Sequence, residues 1–184
     1  MTNGTARALL LRIARNAIAA HVDGAAPARV EPGGVTARRG GVFVTLHSRG
    51  DLRGCIGHIE ADISLGDVIA RCAVSACSAD PRFRPVSRAE LQEIDIELSL
   101  LGPLEPIAGP NEIEIGRHGL LIEQDRRRGL LLPQVATEWK WDAPTFLIQT
   151  CRKAGLPPDA WKTGAMLWRF EAEVFGEATG PTPD

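Results

Sequence analysis

Alternating and helical spacings of apolar residues divide the chain into a few strands and helices. In "GVFVTLHS", residues 41–48, Val42, Val44 and Leu46 face one way and Phe43, Thr45 and His47 the other. That two-residue period is the mark of a half-buried strand. Arg49-Gly50 turns it back into a second strand beginning at Leu52. The clearest alternation is "IDIELSLLG", with Ile94, Ile96, Leu98 and Leu100 on one face and Asp95, Glu97 and Ser99 on the other. "HGLLIEQDRRRGLLLPQ" supplies two more apolar runs around an arginine-rich turn, and "AMLWRFEAEVF", residues 165–175, reads as a closing strand.

The helices carry their own punctuation. "ARALLLRIARNAIAAHV" sets Leu10, Ile13, Ala14, Ala17 and His21 on one stripe. An arginine-bearing, acid-free, amphipathic start also suits a transit peptide; the stripe favours a core-packed helix. After the Gly- and Pro-rich loop "DGAAPARVEPGG", a second helix is capped by Ser64, with Asp67 at its third position. It buries Leu65, Val68, Ile69, Cys72, Ala73 and Ala76, leaving Cys77 off the centre of the stripe. Pro81 then restricts Asp80 to extended angles and ends it. A third helix starts near Asp142 with Pro144 in its first turn and stops at Gly155, with Leu147, Cys151 and Ala154 on one face.

Residues 41–79 thus run hairpin then helix, and residues 119–154 repeat the order. The expected fold is α+β: a mostly antiparallel, curved sheet with flanking helices, two subdomains and an internal β/α duplication. One domain over 1–176 is expected, in lobes of roughly 1–92 and 93–176, followed by a disordered tail at 177–184.

The 184 residues, 44% hydrophobic and 24% charged, suit a soluble globular protein with a substantial core. A net charge of −2 sets up no field toward nucleic acid or an acidic membrane, and Arg126-Arg127-Arg128 reads as a solvated hairpin tip. No apolar run reaches bilayer-spanning length and nothing resembles a secretory signal, so a cytoplasmic protein with free thiols is expected.

Candidate chemistry concentrates in "DLRGCIGHIEA", residues 51–61. A reactive cysteine needs its thiolate, which nearby positive charge favours. Arg53 shares the face of Cys55 if the strand is regular. Gly54 and Gly57 clear space beside the sulfur for a substrate or a partner backbone. His58 points to the opposite face of a regular strand, so a Cys–His pair requires a bend after Gly57. Cys55-x-x-His58 offers at most two metal ligands, with no second pair at zinc-like spacing, so neither metal nor cofactor is expected. A two-residue turn pairs Cys55 with Val44, and a three-residue turn sets it beside Phe43; the alternative to a reactive thiol is a small buried residue. Asp80 and Arg82 are either an ion pair holding their loop or part of the chemistry, and His118 reads as a turn residue.

"LRGCIG" at 52–57 and "DPRF-x-PVS-x-x-EL" at 80–91 resemble the AMMECR domain family, named after the AMME chromosomal region. "IEIGRHGLLIE", "LLLPQVA" and "KAGLPPDAW" match further blocks, so the likeness spans roughly Arg7 to Gly176. His58 directly after the hexapeptide is most similar to the bacterial and archaeal branch called AmmeMemoRadiSam system protein A. The resemblance implies an α+β fold with two subdomains and a repeated β/α unit. It implies a functional surface formed by Leu52, Arg53, Gly54, Cys55, Ile56 and Gly57. It also implies a Memo-like protein and a radical-SAM protein as partners in a modification system, and brings no defined reaction. The chain has no three-cysteine motif for an iron–sulfur cluster. Two readings follow: Cys55 as nucleophile or acceptor in that system, or a non-catalytic module presenting the glycine-rich hairpin to a partner protein.

Overall fold

A computed structural model describes residues 2–177. They form two compact units: the first comprises residues up to Leu100 and those from Glu173, and the second spans Leu101–Ala172. Five strand pairings within them are antiparallel, and helices flank the strands, so the fold is α+β.

In the first unit, helix α1 (Gly4–Val22) is followed by β1 (Val42–Ser48), β2 (Asp51–His58), α2 (Leu65–Ser78) and β3 (Ile94–Leu101). Strand β1 is central, pairing with β2 on one side and β3 on the other. Its apolar face meets that of β3 in register, Val44 opposite Leu98 and Leu46 opposite Ile96, and α2 packs on β1 and β2. The Ser64 hydroxyl caps α2 by accepting from Asp67 N–H at 3.2 Å. Cys72, Ala73 and Ala76 enter this core, and so does Cys77. On α1, Leu10, Ala14 and Ala17 are buried as the spacing requires. Ile18 completes the stripe, whereas His21 is exposed: a polar ring at the last turn keeps its hydration.

The second unit contains β4 (Glu105–Pro106), β5 (His118–Gln124), β6 (Arg127–Leu131), α3 (Pro133–Glu138) and α4 (Ala143–Lys153). It also takes most of β7 (Met166–Gly176), whose last four residues belong to the first unit. Strand β5 lies between β6 and β7, and β4 pairs with β7. Leu120 and Ile122 pack with Phe146, Leu147 and Cys151 of α4, which accounts for Cys151 as a core residue. Asp142 caps α4 by accepting from Thr145 N–H at 2.8 Å.

Each unit therefore repeats a hairpin followed by a helix; the second interposes the short α3, started by Pro133 at a first-turn position. Glu177 is held in the first unit: its N–H donates to the Ile96 carbonyl and its carboxylate accepts from Ile96 N–H. The remainder of the expected tail, 178–184, lies outside the described residues.

Candidate functional site around Cys55

The hairpin turn is made by Arg49 and Gly50, both with positive φ, 54° and 89°. This twist matches that of the flanking strands and closes a two-residue loop with Ser48 opposite Asp51. The register then slips. His47 faces Leu52, but Leu46 faces Gly54, so Arg53 is an extra residue. This β-bulge corrects both expected registers: Cys55 stands opposite Thr45, and not opposite Val44 or Phe43. One inserted residue turns everything after it to the other face. The Cys55 side chain therefore shares the face of Phe43 and Thr45, away from the apolar row of Val42, Val44 and Leu46.

The bulge separates Arg53 from Cys55 as well. Its guanidinium donates to Glu90 Oε1 at 2.9 Å and to the Arg84 carbonyl at 2.9 Å, and lies over the Phe83 ring. Glu90 also accepts from Ser87 N–H and Ser87 Oγ. Arg53 and, secondarily, Ser87 hold the Glu90 carboxyl down at about 2. Arg53 is thus bound into the 83–90 segment, and no hydrogen bond joins it to Cys55 among the described residues.

Two groups do reach Cys55. The Thr45 hydroxyl donates to Sγ at 3.4 Å. The Cys55 N–H donates to Asp80 Oδ2 at 2.9 Å. Asp80 is only 4% exposed, and Arg82 grips both its oxygens, Nε to Oδ1 at 3.0 Å and Nη2 to Oδ2 at 2.7 Å. Hydrogen bonding from Arg82, assisted by the N–H groups of Cys55 and Arg82, holds this carboxyl well below the usual carboxylate range against the opposing effect of burial. In turn, hydrogen bonding to Asp80 raises the Arg82 pKa. So Asp80 and Arg82 form the ion pair, and that pair anchors the backbone of Cys55.

The other residues of the hexapeptide have packing roles. A Cβ on Gly54 would collide with the Ala76 carbonyl oxygen of α2, and one on Gly57 would collide with the Phe43 ring. Ile56 packs against the first unit's core. Leu52 is 41% exposed. His58 is exposed, and it pairs with Val42 on the face opposite to Cys55. The ladder stays regular from Cys55 through His58, so the bend that a Cys55–His58 dyad requires is not made within β2. Among the described residues, no group of three or more His, Cys, Asp or Glu is placed to hold a metal ion.

Thr45 is the site residue that hydrophobic pattern alone did not single out. Strand alternation put it on the polar face of β1, but its partner depended on the bulge. It also pairs with Glu97, so Cys55, Thr45 and Glu97 form one row across three strands. Glu90 had a legible signal: Ser87-x-x-Glu90 is a capping box.

Of the four cysteines, Cys72, Cys77 and Cys151 are buried and Cys55 is half-buried. Burial pushes the Cys72 thiol up to about 11 and raises those of Cys77 and Cys151.

The AMMECR1 family model matches residues 11–175, nearly the whole chain. The chain belongs to the AMMECR1 family. A protein from Methanothermobacter thermautotrophicus is 47% identical over 177 residues, covering 91% of this chain and 92% of the relative. A protein from Aeropyrum pernix is 42% identical over 178 residues, covering 91% of this chain and 77% of the relative. The crystal structure of an uncharacterised protein from Pyrococcus horikoshii superposes with a TM-score of 0.84 at 38% identity, covering 95% of this chain and 93% of that one. The AMMECR1 match extends across both units, so Cys55 and the 80–90 segment lie well inside it. No helix among the described residues is long and apolar enough to cross a membrane.

Proposed function

We propose that this AMMECR1-family chain is a component of a modification system that works with a Memo-like protein and a radical-SAM protein, and that Cys55 is its nucleophile or acceptor. The observation that carries the reading is the contrast among the thiols. Cys55 alone of the four is incompletely buried, and its sulfur lies on the sheet face away from the first unit's apolar row, in contact with the Thr45 hydroxyl. As nucleophile, the thiol loses its proton to solvent and Sγ bonds an electrophilic carbon supplied by a partner. The leaving group departs with the bonding pair. Radical chemistry, in this reading, belongs to the partner.

The competing role, a hairpin that offers its backbone to a partner, draws less support. Gly54 is occupied by packing against α2, and the Cys55 N–H is already bound by Asp80. Copurification with the Memo-like and radical-SAM partners, wild type against Cys55→Ser, tests the proposal when followed by mass analysis of Cys55 and of the partners. The expected result is partner capture by both proteins and a mass adduct or partner modification with wild type only. Equal modification with Cys55→Ser, or no partner capture by wild type, would overturn it.

A further inference from the structure

The sheet face that carries Cys55 has three rows across β2, β1 and β3. Cys55, Thr45 and Glu97 make the middle row. Leu52, His47 and Asp95 lie on one side of it, and Gly57, Phe43 and Ser99 on the other. Two polar atoms on this face are enclosed and have no hydrogen-bond partner among the described residues, His47 Nε2 and Ser99 Oγ. Ser99 is only 1% exposed. Unsatisfied polar atoms are rare inside a fold, and two on one face, either side of a half-buried thiol, mark a place kept for a reacting ligand.

Of the two, His47 is one strand from Cys55 and Ser99 is two. His47 lies two residues along β1 from Thr45, hence diagonal to Cys55 across the ladder. Diagonal neighbours stand about 7–8 Å apart, within reach of a ring side chain. Thr45 donates its hydroxyl to Sγ, so the thiol's own hydrogen stays available. His47 Nε2 is committed to no other group. Thiol and imidazole are not hydrogen-bonded in the free protein; catalytic pairs often tighten only around their substrate.

The charges around His47 suit a base. Asp95 stands directly opposite it, and Glu97 lies diagonal to it on β3. Carboxylates there steady the imidazolium formed when the ring takes a proton. On the β2 side its ladder partner is the apolar Leu52. The guanidiniums of this region have carboxylates of their own: Arg53 pairs with Glu90, Arg82 with Asp80 and Arg49 with Glu93.

We propose that His47 is the general base for Cys55. This rests on the reading of Cys55 as nucleophile, and names His47, in place of solvent, as the group that receives its proton. Nε2 takes the S–H proton and Sγ bonds the electrophilic carbon supplied by the partner. The leaving group departs with the bonding pair and recovers the proton from the imidazolium.

The pH profile of Cys55 alkylation tests the assignment. The full chain as wild type, His47→Gln and His47→Phe is treated with iodoacetamide between about pH 5.5 and 9.5, and Cys55 labelling is followed by peptide mass analysis. His47→Phe keeps a ring in place, so the comparison survives if the glutamine variant loosens the fold. At pH 7 both variants should label at least about ten-fold more slowly than wild type. By about pH 9.5, where hydroxide removes the proton unaided, all three should agree within about two-fold. Profiles that coincide while Cys55 is labelled would overturn the role of His47 and leave the nucleophile reading standing. A deficit as large at pH 9.5 as at pH 7 would mark a structural effect and overturn that role too. A Cys55 that resists iodoacetamide at every pH would overturn both readings.

Discussion

The amide of Cys55 and the carboxylate of Asp80 are joined by a 2.9 Å hydrogen bond across 25 residues of sequence. It fastens strand β2 to the loop that follows α2. With Arg82 it makes Asp80 a buried carboxylate having several donors.

This arrangement sets a pH dependence. The folded pKa of Asp80 lies below its unfolded value, so its contribution to stability is complete above the unfolded value of about 3.9 and is lost as pH falls toward the folded one. Asp80→Asn should cost about 2 kcal/mol at pH 7, and the gap to wild type should narrow below about pH 4. Urea titrations of both proteins at pH 7 and pH 3 measure this; a gap that widens at pH 3 contradicts the assignment.

Thiol accessibility separates Cys55 from the others. Iodoacetamide under native conditions, with peptide mass analysis over time, should label Cys55 at least about ten-fold faster than Cys72, Cys77 or Cys151, which react only when the fold opens. Comparable protection of all four would remove the basis for Cys55 chemistry.

Within the hexapeptide, packing and exposure predict opposite responses. Gly54→Ala forces a methyl against the Ala76 carbonyl and should destabilise by about 1–3 kcal/mol. Leu52→Ala, at an exposed position, should change stability by no more than about 0.5 kcal/mol. Thermal melts compare the two. If Leu52→Ala nevertheless loses partner capture, Leu52 is a contact residue.

Arg53 is a test of site against scaffold. Lysine keeps the charge but cannot reproduce a guanidinium fork that spans Glu90 and the Arg84 carbonyl. Arg53→Lys should cost about 1–2 kcal/mol while Cys55 alkylation in the folded protein stays within about two-fold of wild type. A steep fall in alkylation at unchanged stability would place Arg53 in the chemistry instead.

Much of the architecture is legible in the chain itself. Alternation in residues 42–47 and 94–100 selects the buried rows of β1 and β3, because a pleated strand exposes successive side chains to opposite environments. Ser64 and Asp142 mark helix starts because their side-chain oxygens accept otherwise unpaired N–H groups. The hairpin-helix repetition follows from those same periods. The short β4 carries too few residues for any period to show.

The sequence by itself determined the family blocks, the antiparallel α+β class, and the core roles of Cys72 and Cys151, since these depend on local spacing. Tertiary structure decided which way Cys55 faces. The bulge at Arg53 reverses the face of every later residue in β2, and it goes with contacts more than twenty residues distant: Glu90 and Arg84 around Arg53, and Ala76 over Gly54. Tertiary pairing also made His118, expected in a turn, a buried residue opening a strand, with Glu171, 53 positions away, opposite it across the ladder. Local pattern carries no record of such pairings; they are settled only when distant segments compete for the same backbone groups and the same space.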